Sequence, residues 1–105
     1  MAEAAPKADL RALNPATNEH FGPSFPEPSA AQIEAACAAA AAAFDIYRET
    51  DLETRAAFLE AIAAEIEALG DELIQTAMAE TGLPQARITG ERGRTCGQLR
   101  LFAQV

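Results

Sequence analysis

Residues 29–47 read SAAQIEAACAAAAAAFDIY, and the reading of that stretch decides the fold. Ser29 and Gln32 have the spacing of a capping box, in which each side chain satisfies the other residue's backbone N–H at a helix start. Ile33, Cys37, Ala40, Phe44 and Tyr47 then recur at i, i+4, i+7, i+11 and i+14, one face of a helix. Cys37 lies inside that stripe and reads as a small buried hydrophobe, because no cation or histidine stands near it in sequence to activate the thiol. The ten consecutive apolar residues 35–44 are mostly Ala and fall well short of the roughly 18 that a membrane span requires.

Working downstream, Thr50 and Glu53 repeat the capping-box spacing. They open a second helix with the apolar face Leu52, Leu59, Ile62, Ile66 and Leu69, closed by Gly70. Asp71 is placed to cap a third helix whose inward residues are Leu73, Ile74, Ala77 and Met78, ending at Thr81-Gly82. Pro84 suits the first turn of a fourth helix that runs through Ile88, Leu99 and Phe102. Upstream, residues 1–9 show no period and read as a loose arm. The turn chemistry of Asn14-Pro15-Ala16-Thr17-Asn18-Glu19 joins two weak strands, Leu10–Leu13 and His20–Pro26. The expected fold is mostly α: a short N-terminal β-hairpin, then four helices, with 1–28 as arm and hairpin and 29–105 as the helical part. His20, the single histidine, reads as a solvent-facing residue beside the turn, because a metal or general-base role needs companions the chain lacks.

Of the 105 residues 50% are hydrophobic, yet 26 of them are Ala, so half of the apolar fraction is methyl-sized. Six Gly and six Pro are too few for a collagen-like or low-complexity chain. No basic start followed by an apolar stretch marks a secretory signal. Two cysteines cannot build a multi-bridge framework, which points to a reduced, cytoplasmic setting. The net charge of −8 argues against nucleic acid as a partner. The charge is nonetheless uneven: residues 27–80 carry two Arg against twelve acids, whereas 81–105 carry four Arg and one Glu.

That basic segment is the most informative. At 100° per residue Ala86, Gly90, Gly93 and Gly97 fall within about 60° of one another. Each helical glycine costs about 1 kcal/mol relative to alanine, so the face calls for a reason, such as close approach of another backbone or of a bound molecule. The other side holds Ile88, Thr95, Leu99 and Phe102, with Arg92 among them, where it must snorkel or find an anion. Arg87 and Glu91 are spaced to pair. Arg92 and Arg94 are the candidates for anchoring a substrate carboxylate, since a guanidinium fork matches a carboxylate bidentately. Residues 99–105 break off in an apolar helical pattern without a stop signal, which points to a piece of a longer protein.

The ordered set Asn14-Pro15-Ala16-Thr17, Ala43-Phe44, Arg55-Ala56-Ala57-Phe58-Leu59, Glu72-Leu73-Ile74, Glu80-Thr81-Gly82-Leu83-Pro84 and Leu101-Phe102-Ala103 resembles the N-terminal segment of the NAD(P)-dependent aldehyde dehydrogenase superfamily. Residues 90–103, GERGRTCGQLRLFA, are most similar to the branch that oxidises α-ketoglutaric semialdehyde, 2,5-dioxovalerate. Leu83 stands where many members have Lys, a common substitution in that branch. The resemblance covers residue 10 onward, about the first fifth of a family member. It implies the start of an α/β fold, with 29–105 as the helical lead-in of the cofactor-binding domain. It also implies an aldehyde oxidation in which a cysteine thiolate attacks, hydride passes to NAD or NADP, and a water activated by Glu hydrolyses the thioester.

None of the residues for those steps matches this segment, so no catalytic, cofactor-binding or metal residue is assigned here. Cys96 precedes Gly97 and Gln98 in an order that does not match the nucleophile motif. The helix after the Thr-Gly…Pro turn borders the substrate entrance in the family, and its counterpart here, Glu91 to Thr95, carries Arg92 and Arg94 toward a small acidic aldehyde. A homo-oligomer is expected of the full-length protein, with neither membrane nor nucleic acid as partner. The alternative is a free-standing acidic helical module that binds a partner through its small-residue face.

Overall fold

The computed structural model describes residues 9–105; the arm expected over 1–9 lies almost wholly outside them. Strand β1 (Leu10–Asn14) pairs antiparallel with β2 (Glu19–Phe25), with Asn14 opposite Glu19, Leu13 opposite His20 and Ala12 opposite Phe21, and an irregularity between Leu10 and Ala12. The turn is built by Asn14: its Oδ1 accepts the N–H of Ala16 at 2.9 Å and of Thr17 at 3.3 Å, while Asn18 takes φ +60° and returns its N–H to the Asn14 carbonyl. His20 is exposed, as expected, and lies in β2 just past the turn.

Helix α1 (Ala30–Tyr47) begins at Ser29 with both halves of the capping box formed, at 3.1 and 2.8 Å. The burial expected of it is not found. No residue of α1 is buried: Ile33 is 53% exposed, Phe44 61%, and Cys37 is an exposed thiol. Periodicity along α1 identified an apolar face, but that face buries none of its residues. Its link to the next helix is an edge-on ring contact between Tyr47 and Phe58, 6.1 Å between centroids.

Helix α2 (Leu52–Ala68) is capped by Asp51, whose carboxylate accepts the Thr54 N–H at 2.7 Å, not by the Thr50–Glu53 box. The reason is local: the Thr50 hydroxyl donates backward to the Tyr47 carbonyl at 2.7 Å and closes α1 instead. Helix α3 (Gly70–Thr81) follows without an extended residue between, turning on Gly70 at φ +60°, so Leu69 is the cap position and Asp71 lies inside the first turn. There its carboxylate complements the helix dipole rather than capping the end. Gly82, at φ +75°, closes α3 by donating to the Met78 carbonyl, and a Cβ on it would touch Pro15 Cγ at 3.6 Å, where α3 rests against the hairpin. Helix α4 (Gln85–Gln104) starts at Pro84, one position outside the expected first turn, and runs along α2.

The result is mostly helical, a hairpin and four helices, but it is a slab of 50 × 44 × 15 Å. Its radius of gyration is 18.6 Å; a compact chain of this length would have about 13 Å. Among the described residues the buried hydrophobics are Ala63, Ile74, Ile88 and Cys96, the points where α2, α3 and α4 meet.

Candidate functional site

The side of α4 turned toward α2 and α3 carries residues 88, 92, 96, 99 and 103, which fall within about 80° around the axis. Ile88 and Cys96 are buried there, and Leu99 and Ala103 are half-buried. The Cys96 thiol, 1% exposed, donates to the Ala63 carbonyl at 3.6 Å, beside an Ala63 that is itself 0% exposed. A small residue on each helix lets the two backbones come close. Cys96 therefore works as a packing residue, consistent with its mismatch to a nucleophile motif.

Arg92 stands midway between Ile88 and Cys96, in the centre of this inward side. Its stem crosses a groove lined by Ile66, Leu69, Leu73, Ala77 and Ile88, and its Nη1 donates to the Gly70 carbonyl at 2.9 Å. The sequence required an anion or a route to water for this guanidinium; the structure supplies a backbone carbonyl at the α2–α3 corner.

Arg94 has different surroundings. Two residues further on, it lies about 200° around the helix from Arg92. It is exposed, and among the described residues it makes no hydrogen bond or ion pair. It borders an open groove with Leu59, Thr95, Gln98, Leu99 and Phe102. Gly90, Gly93 and Gly97 share its outward side, and a Cβ placed on any of them meets nothing within 4 Å. The close approach expected at the glycine face thus does not come from another described element. The two arginine candidates are not brought together: one is committed inward, the other presents an unpaired cation outward. Arg87 and Glu91 form the pair read from their spacing, at 2.8 Å.

Sequence reasoning missed Arg100. It bonds Glu67 through both Nη atoms, at 2.6 and 3.1 Å, and its Nε lies 3.6 Å from Glu60, so one side chain staples α4 to two turns of α2. The hydrogen bond from Arg100, with a smaller contribution from the charge of Arg92, holds the Glu67 carboxyl below its usual range; Arg100 is raised in turn. Glu60 and Glu67, seven apart on one face of α2, were the signal, but it becomes legible only once α2 and α4 are known to be neighbours. Arg55, near the start of α2, has a buried Nε without a hydrogen-bond partner among the described residues.

The described strands do not form a dinucleotide cradle: they make an antiparallel hairpin instead of parallel strands leading into a glycine-rich turn, and at the starts of α1 and α2 one N–H each is taken by Ser29 and by Asp51, the latter a carboxylate that repels phosphate. Among the described residues no group of three His, Cys, Asp or Glu is placed to hold a metal ion, and no helix is long and apolar enough to cross a membrane.

Comparison with known proteins agrees with the ordered motifs. The chain is 60% identical over 97 residues to alpha-ketoglutaric semialdehyde dehydrogenase 2 of Azospirillum brasilense, covering 91% of the chain and 18% of that relative. It is 40% identical over 102 residues to alpha-ketoglutaric semialdehyde dehydrogenase of Acinetobacter baylyi, covering 97% of the chain and 19% of that protein. The chain thus spans about a fifth of the length of the curated relatives it matches. The aldehyde dehydrogenase family model matches residues 2–105, and the chain belongs to the aldehyde dehydrogenase family.

Proposed function

We propose that the protein built on this chain oxidises a short aldehyde bearing a carboxylate, 2,5-dioxovalerate to 2-oxoglutarate, with NADP or NAD as hydride acceptor. Aldehyde, water and oxidised nicotinamide give carboxylate, reduced nicotinamide and two protons. The printed names of the relatives support the substrate class. The observation that carries a role for this segment is Arg94, an exposed guanidinium without a partner in the basic end of an acidic chain.

The residues described here bind and orient; they supply no nucleophile. Cys96 is buried against Ala63, and Cys37 is an exposed thiol on α1 with no cation or histidine near it in sequence. Nicotinamide binding, the attacking thiolate and the water-activating carboxylate belong, on this reading, to residues beyond these 105, with 29–105 forming the helical lead-in of the cofactor-binding domain. Arg94 would receive the substrate carboxylate at the entrance, where the two oxygens match its fork. Arg92 is the weaker candidate for that contact because its guanidinium is held by Gly70. A cytoplasmic homo-oligomer belongs to the same proposal. A free-standing interaction module is disfavoured, because the aldehyde dehydrogenase family model matches residues 2–105 and the chain spans about a fifth of its relatives.

The test is Arg94→Met in the full-length enzyme, assayed with 2,5-dioxovalerate and with a neutral aldehyde of equal length. Loss of a charge-assisted hydrogen bond should raise the ratio of acidic to neutral KM about tenfold. A ratio unchanged from wild type refutes the assignment.

A further inference from the structure

We propose that Arg92 is a positioning residue: by holding the Gly70 carbonyl it fixes the roll of α4 about its own axis and thereby aims Arg94. This rests on the reading of Arg94 given above.

The other polar contacts on this side of α4 tie it to α2: Cys96 meets the Ala63 carbonyl, and Arg100 staples to Glu60 and Glu67. The Arg92 bond differs in kind. Its acceptor is main chain, and it belongs to a residue at φ +60° on a corner that joins α2 to α3 without a loop. The donor sits in the middle of the inward side, four residues from Ile88 and four from Cys96. A half-buried charge in an apolar groove is costly, and Leu or Met would fill that groove without it. Arginine adds what those cannot, a directional bond spanning 22 residues of sequence.

Arg94 is coupled to this bond through the rigid helix. The two residues lie about 3 Å apart along the axis and about 200° apart around it. A roll of about 20° moves a side-chain tip ~6 Å from the axis by about 2 Å. That is enough to break a bidentate grip on a carboxylate while leaving a neutral aldehyde, which makes no such grip, far less affected.

The experiment uses the full-length enzyme with Arg92→Met, Arg92→Gln and Arg94→Met, measuring kcat and KM for 2,5-dioxovalerate and for the neutral aldehyde, with thermal melts of each. Arg92→Met is expected to raise the acidic-to-neutral KM ratio about three- to tenfold, in the direction of Arg94→Met, and the double variant to add little to Arg94→Met alone. Arg92→Gln, which keeps a donor but cannot reach as far, should show the same selective rise if Arg92→Met fails to accumulate. A melt lowered with the KM ratio unchanged, or both substrates impaired alike, makes Arg92 a structural tie and overturns the proposal. A selective effect of Arg94→Met without one at Arg92 overturns this inference and leaves the proposed function standing. No selective effect at Arg94 overturns both.

Discussion

Helices α1 and α4 are of similar length and opposite character. Helix α1 is more than half alanine, with a regular apolar stripe, and buries no residue, whereas α4 carries three glycines and four arginines and buries Ile88 and Cys96. What separates them is the neighbour. The inward side of α4 meets Ala63 closely enough for a thiol–carbonyl contact and has two arginines with acceptors on α2 and at the α2–α3 corner, whereas the ring contact of α1 with Phe58 comes from its last residue, Tyr47. An apolar stripe states a capacity for burial, and a matching surface must realise it.

The sharpest way to break this contrast is a pair of truncations in the 105-residue chain, followed by urea unfolding. Ile74→Ala, at a site 2% exposed, should cost about 2–4 kcal/mol. Ile33→Ala on α1 should change stability by less than ~0.5 kcal/mol. Equal costs would mean that α1 is covered after all. Next in size, replacing Gly90, Gly93 and Gly97 together by alanine should stabilise this chain by about 2–3 kcal/mol, because each Cβ enters open space and α4 gains helix propensity. A lower melting temperature in that variant would show that the outward face is occupied.

The smallest effect is electrostatic. Glu67 titrates below its ordinary 4.5 because Arg100 bonds its carboxylate. The unfolded chain therefore binds more protons as pH falls below about 4.5, and stability conferred by the ionised Glu67 is lost as pH drops through the folded-state value. Glu67→Gln should flatten that acid limb, read from urea midpoints between about pH 5 and pH 3.

Local chemistry was legible in the sequence and tertiary placement was not. The Asn14 turn, the Ser29–Gln32 box, the Gly82 stop and the Arg87–Glu91 pair each involve residues within four positions, and each is formed. Where two local solutions competed, the spacing rule chose wrongly: Thr50 matches a capping box, but its hydroxyl was already committed to the preceding helix, which left the cap to Asp51. Asp71 failed as a cap because Gly70 turns the chain without the extended residue that a cap requires. At the candidate site, the sequence singled out both Arg92 and Arg94, but their separation into one held and one free guanidinium depends on which side of α4 meets the α2–α3 corner. Arg100 was invisible for the same reason, since its partners lie 33 and 40 positions away.

The 15 Å depth of the slab is scarcely more than one helix diameter, about 10–12 Å. Burial in such a layer is confined to the helix contacts around Ala63, Ile74, Ile88 and Cys96. Hydrogen exchange in this chain would then grade its backbone by helix position and not by distance from a surface: slow in the middle of α2 and α4 around Ala63 and Cys96, fast toward every terminus. The chain would open from its edges inward, as a sheet of paper frays, with no central unit to release at once.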